Sequence, residues 1–261
     1  GKYEVTAGQY CQFLNAVAQT DTYALYNTFM SNFDNCGISR SGSSGSYTYS
    51  VASDWANRPV NLVSFWDACR FTNWLHNNQP TGAQGPGTTE TGAYTLDGYN
   101  GEDGRTIQRN AGWKWAVTSE DEWYKAAYHK NDGPTGNYFD YPTGSDAVPS
   151  NDLIDPDPGN NATFRASASD YTSGFPYYRT EVGAHENSDS PYGTFDQGGN
   201  VSEWNETVVY DVSGEAHRGL RGGSFSKGLD GADLHASFRD HKAPTFEGLA
   251  VGFRVFAVPS D

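Results

Sequence analysis

Phe195-Asp196-Gln197-Gly198-Gly199-Asn200-Val201-Ser202-Glu203-Trp204 reads as a Gly-rich turn running into a half-apolar segment. Glycines without a Cβ allow a tight turn. Asp196, Asn200 and Glu203 add side-chain oxygens to the turn's own carbonyls. Calcium takes such a set, since it binds six to eight oxygens and tolerates irregular loops. Downstream, Leu220-Arg221-Gly222-Gly223-Ser224-Phe225 steps from apolar residues into a glycine pair, which suits positive φ or a close backbone approach where a strand bends. Gly252-Phe253-Arg254-Val255 then sets an arginine among aromatic and aliphatic strand residues, which reads as a buried or half-buried structural ion pair. Between Gly199 and Val258 short β-type runs alternate with Gly-rich turns, at 208–210, 220–225 and 251–258.

Upstream the period changes from two to helical. Thr6 stands as an N-cap before Tyr10, Phe13, Leu14 and Val17, which recur at helical spacing. Ser64 and Asp67 approximate a capping box ahead of Ala68, Phe71, Trp74 and Leu75. Ser119 and Glu122 do the same ahead of Trp123, Ala126 and Ala127. Lys2-Tyr3-Glu4-Val5 reads as the inside of a strand, so the chain opens as if an upstream segment preceded it. Long polar stretches at 37–49, 81–104 and 131–176 separate these elements. Loops of that length in a compact domain are functional, disordered or held by something. No linker or repeat divides the sequence, and one domain over residues 1–261 is the expected organisation.

Composition sets the outer limits. Trp 7, Tyr 17 and Phe 14 supply a core rich in rings, while Gly 30 and Pro 12 point to turns and irregular loops. A net charge of −15, from 32 acidic and 17 basic residues with no basic run, speaks against nucleic acid as a partner. No stretch approaches the roughly 18 apolar residues of a membrane span. Three cysteines allow one internal disulfide at most, so a disulfide-stapled scaffold is excluded.

The three ordered motifs of the last third resemble the signature of the formylglycine-generating enzyme, or sulfatase-modifying factor, family. Tyr3-Glu4-Val5-Thr6, Arg58-Pro59-Val60-Asn61, Trp66-Asp67-Ala68 and Ser119 to Trp123 fit the same pattern, so the resemblance spans nearly the whole chain. It implies an α+β, irregular C-type-lectin-like fold with few helices, short twisted strands and much coil. It also implies a calcium ion held by the side chain at Asp196, backbone oxygens at Gly199 and Val201, and the carboxylate of Glu203; some relatives have Asn at the position of Asp196. A second calcium site would map to Asn161 and Ala162 with Asp170 as the nearest acidic residue, although the spacing departs from the family's. The acidic run with Asp152, Asp155 and Asp157 lies close by.

Enzymes of that family oxidise a substrate cysteine with two cysteines that bind copper(I), both between the Arg-Gly-Gly-Ser and Gly-Phe-Arg motifs. From Ser224 to Gly252 this chain has no cysteine. Soft thiolates are what copper(I) selects, so the family's chemistry is not expected. Cys11 and Cys69 lie within the first two helices, where a small buried residue is the plain reading. The resemblance then implies a non-catalytic binding or assembly domain, secreted, periplasmic or displayed at the cell surface. Its ligand or partner surface would be Ser226, Lys227, Asp230, His235, Arg239 and Phe246, taking a protein, a glycan or like subunits. The alternative is an oxidase of altered chemistry with a metal at His235 or His241. Asn161, Asn200 and Asn205 begin glycosylation sequons.

Overall fold

The computed structural model describes residues 1–32, 34–227 and 229–258. Three α-helices occur among them, and each starts where its capping residues predict. In α1 (Ala7–Val17), Thr6 Oγ1 accepts from the Gln9 N–H at 3.2 Å while Gln9 Oε1 accepts from the Thr6 N–H at 3.0 Å. In α2 (Phe65–His76), Ser64 and Asp67 close the same reciprocal pair, as do Ser119 and Glu122 at α3 (Glu120–Tyr128). Each box satisfies N–H groups that the first helical turn leaves open.

The strands are short: β1 (Ile38–Ser41), β2 (Thr48–Val51), β3 (Trp115–Val117), β4 (Arg165–Ser167), β5 (Asp170–Tyr171), β6 (Ser202–Tyr210), β7 (Ala216–Arg221), β8 (Asp240–Lys242), β9 (Val251–Gly252) and β10 (Val255–Ala257). The largest sheet runs β8-β7-β6-β9, and two-stranded pairs join β1 to β2, β4 to β5 and β3 to β10. In the large sheet β9 is parallel to β6, with Ser202 opposite Val251 and Glu203 opposite Gly252. The chain then leaves β6 and pairs with β3 instead, Val255 facing Val117. Phe253 and Arg254 occupy that change of sheets, so the run predicted at 251–258 is two strands with a break between them. The run at 220–225 likewise stops at Arg221, because Gly222 and Gly223 turn the chain with φ of +91° and +68°. A Cβ on either would come within 2.6 Å of Gln197 O or 2.9 Å of Asp233 O. Residues 2–5 form no named strand, yet Val5 donates to Phe253 O and accepts from Val60 N, as an extended segment does.

α1 and α2 pack their aromatic faces together, with Phe13 and Phe71 edge to face at 5.3 Å, and Phe71 reaches Phe253 at 5.4 Å. Trp204 of β6 closes the same core. α2 is buried almost all round, which explains the polar loops beside it. Asn73 Nδ2 donates to Thr89 O and Tyr94 O, and the buried Arg70 guanidinium pairs with Glu90 at 2.8 Å. The stretch 81–104 is thus held from the helix by polar side chains that leave no hydrophobic period. No helix among the described residues is long and apolar enough to cross a membrane.

Candidate functional site

The change of sheets brings the three C-terminal motifs to one buried centre. Glu203 of β6 and Arg254 form a two-point ion pair, Nε to Oε2 at 2.6 Å and Nη2 to Oε1 at 2.7 Å, with both side chains about 2% exposed or less. Trp123 of α3 donates Nε1–H to Glu203 Oε2 at 2.7 Å, and Arg254 donates on to Phe195 O at 2.8 Å. Arg254 is therefore the structural ion pair that its apolar setting suggests.

The turn before β6 lies against this pair. Gly199 has φ +87°, and a Cβ there would stand 2.1 Å from Thr163 O, so only glycine fits. Asp196 and Asn200 also take positive φ, at 60° and 53°. Asp196 Oδ2 accepts from the Gly183 N–H at 2.6 Å. Glu4 enters from the N-terminal segment, its carboxylate accepting from Asn200 Nδ2 at 2.9 Å and the Val201 N–H at 3.2 Å. Burial pushes the Asp196 carboxyl up to about 6, against the Gly183 N–H and the Arg254 charge, which pull it down. Burial, and after it the charges of Asp196 and Glu203, push Glu4 well above the usual carboxylate range. Three carboxylates thus share the field of one guanidinium. Hard oxygens are the donor type that calcium takes, so the residue types here would suit that ion. Asp196, Gly199 and Val201 would hold it, with Glu203 contributing while it keeps Arg254. Glu4 lies in the Tyr3-Glu4-Val5-Thr6 motif, but nothing local in the sequence assigns it to this centre. The available signal was a carboxylate between Tyr3 and Val5 in a run with β character.

The second predicted set is arranged differently. Asn161 and Ala162 are buried, but the carboxylate that meets Asn161 is Asp157, at 2.6 Å, whereas Asp170 is exposed on β5 and accepts from Asn151. Asp157 also accepts from Ser188 Oγ, the Gly159 N–H and the Asn187 N–H. Those donors outweigh the cost of burial and hold its carboxyl below the usual range. One enclosed cavity of ≈ 10 Å³ touches Asn161, Ala162, His185, Ser188 and Asp196, and so joins residues of both sets. That is about the space one water needs. Asn161, Asn200 and Asn205 are at most 3% exposed, which withdraws all three sequons from a glycosylating enzyme in the folded domain.

Of the predicted ligand surface, Ser226, Lys227 and Phe246 come together. With Lys242, Leu249 and Val251 they line an open groove of ≈ 410 Å³ at the edge of the large sheet. Phe246 and Leu249 are 40% and 53% exposed, and Lys227 forms an ion pair with Asp240. The other three are engaged elsewhere. Arg239 reaches Glu120 of α3 at 2.8 Å, His235 lies 3.7 Å from Asp140 and stacks edge-on against Tyr141, and exposed Asp230 donates its N–H to Ala166 O. His241 does not join His235; its Nδ1 meets Nδ1 of His217 at 2.9 Å.

Cys11, Cys36 and Cys69 are all free thiols, at most 5% exposed, in the main core. Burial raises each thiol, Cys36 to about 11. A thiolate is the form that attacks or binds a soft metal, and this setting disfavours it.

Solved structures share the fold, among them CarF and Treponema denticola variable protein 1. CarF superimposes with a TM-score of 0.59 at 21% identity, covering 99% of this chain and 85% of its own. Treponema denticola variable protein 1 does so with a TM-score of 0.58 at 20% identity, covering 99% and 84%. At that identity both speak for the fold alone, which is the α+β, irregular C-type-lectin-like arrangement of few helices, small sheets and much coil. No curated protein matches the chain in sequence. The family model described as the sulfatase-modifying factor enzyme 1-like domain matches residues 1–258, and the chain belongs to that family.

Proposed function

We propose that this member of the family is a non-catalytic binding or assembly domain, exported and stabilised by calcium, whose partner surface is the groove of Ser226, Lys227 and Phe246. The observation that carries the reading is the placement of the thiols. The interval from Ser224 to Gly252 has no cysteine, and the three cysteines the chain has are core residues whose burial favours the neutral thiol. Copper(I) held by two thiolates needs both of them ionised and adjacent.

The groove supports recognition. Leu220, Phe246, Leu249 and Val251 line it together with Lys227, Lys242 and Glu247, and both lysines pair with Asp240, which suits a partner with an apolar anchor and polar groups, whether protein, glycan or a like subunit. An extracellular, periplasmic or surface setting would also supply the calcium that the Asp196 turn is fitted to hold. The Lys227→Ala and Phe246→Ala variants should lose partner capture while melting as the wild type does. A metal screen with oxygen uptake tests the enzymatic alternative: stoichiometric copper or iron together with oxygen consumption would overturn the non-catalytic reading.

A further inference from the structure

The β6–β7 hairpin carries a group of side chains that neither the buried centre nor the groove uses. Ligand atoms of Asp211, Glu215 and His217 all lie within 4.8 Å of one another, with Asp211 Oδ2 3.9 Å from His217 Nε2. Two ligands each ~2.1 Å from a tetrahedral zinc ion stand ~3.4 Å apart, so a small closure suffices. Glu215 and His217, though not Asp211, also line an open cavity of ≈ 380 Å³ where Arg105 is paired with Asp103; the cavity gives an ion an entry path and room for water.

The far side of the imidazole provides the second observation. His217 lies on β7 and His241 on β8, where His241 faces Gly219, two residues along and on the same side of the sheet. Gly219 itself packs against Asn205, whose Oδ1 would stand 2.5 Å from a Cβ there, and the two rings meet beside it, Nδ1 to Nδ1 at 2.9 Å. A contact that short between neutral imidazoles needs one N–H and one lone pair. With the proton on His217 Nδ1, its Nε2 presents a bare lone pair to the Asp211 carboxylate. In that tautomer His217 can ligate a cation through Nε2 beside Asp211. A donor bond from the non-ligating ring nitrogen is also how metal-bound histidines are oriented. Asp211 is fixed in the same manner, since Oδ1 accepts from the Ser213 and Glu215 N–H groups at 2.9 and 2.8 Å and both oxygens accept from Ser213 Oγ.

We infer that Asp211, Glu215 and His217 form a binding site for a divalent transition ion of the zinc type, with His241 as the residue that positions His217. One imidazole and two carboxylates match zinc's borderline preference and leave a coordination position open to the cavity. This site is separate from the Asp196 turn, where the donors are oxygens alone.

Zinc chloride is the probe, titrated by calorimetry into the whole chain in calcium-saturated, chelator-free buffer, so that any oxygen-only site is already filled. Bound zinc is counted by elemental analysis after dialysis. The expected result is one zinc per chain, lost in His217→Ala and weakened at least ~10-fold in His241→Ala, the range seen when an orienting partner is removed. Asp211→Asn keeps the turn's acceptor oxygen and removes the charge, so it should bind weakly while melting as the wild type does without zinc. His235→Ala should bind as the wild type does. A wild type that retains no zinc, or His217→Ala and Asp211→Asn isotherms that overlay it, would overturn the assignment.

Discussion

The buried centre at the change of sheets and the groove at the sheet edge each contain a basic residue paired with a carboxylate, and their surroundings give the pairs opposite roles. Glu203 and Arg254 are sealed from water, with Oε2 of the glutamate also held by Trp123 and Nη2 of the arginine by Phe195 O. Lys227 and Asp240 sit at a solvated rim, the lysine side chain 43% exposed. A buried pair costs much desolvation and punishes the loss of one partner, whereas a rim pair is screened and nearly neutral for stability. The interior therefore specifies the fold, and the rim pair can vary at little cost to it.

The largest expected effect breaks the interior. Arg254→Met leaves the Glu203 carboxylate buried and unpaired, and denaturant unfolding should show a loss of about 3–5 kcal/mol or no folded protein. Lys227→Ala should change stability by less than ~1 kcal/mol in the same experiment. Equal losses would dissolve the contrast between the two regions.

Calcium removal comes next. A ligand present at a hundredfold excess over its Kd stabilises the native state by about 2.7 kcal/mol, which a melting curve with and without chelator would read. The pH dependence follows from Asp196. Its folded-state value of about 6 lies above the ordinary 3.8, so in calcium-free protein its contribution is complete below 3.8 and is lost as pH rises through 6. Calcium bound at the Asp196 turn, as proposed, would offset that loss, and the calcium-induced rise in melting temperature should then be larger at pH 7.5 than at pH 5. Asp196→Asn should shrink the calcium shift and leave the ion pair intact. Glu203→Gln tests calcium less cleanly, because it also strands Arg254. A calcium shift that is flat with pH would argue against Asp196 as a ligand.

The smallest effects belong to the thiols. Replacing Cys11, Cys36 or Cys69 by Ala should leave partner binding at the groove unchanged. Each loses some stability, because all three lie in the packed core.

How much of this the sequence shows depends on the range of the interaction. The three N-caps are legible because Thr6–Gln9, Ser64–Asp67 and Ser119–Glu122 are contacts three residues apart, and Gly222-Gly223 is legible because a backbone requirement leaves a residue type behind. The Glu203–Arg254 pair is half legible: the apolar neighbours of Arg254 announce burial, but its partner comes from another strand. Glu4, the Arg70–Glu90 pair and the meeting of His217 with His241 are not legible. They depend on packing between segments distant in sequence or on strand register, which no local pattern encodes. The predicted ligand surface divides for the same reason, since Ser226 and Lys227 meet Phe246 across the groove while Arg239 is drawn to Glu120 of α3.

The central claim is that the family's fold is kept here without its thiol chemistry. The direct measurement is the mass of a cysteine-containing, sulfatase-type peptide after incubation with copper(I)-loaded protein and oxygen. The account predicts an unchanged peptide mass. Conversion of the peptide cysteine to the aldehyde, abolished by replacing a single one of Cys11, Cys36 or Cys69, would contradict it.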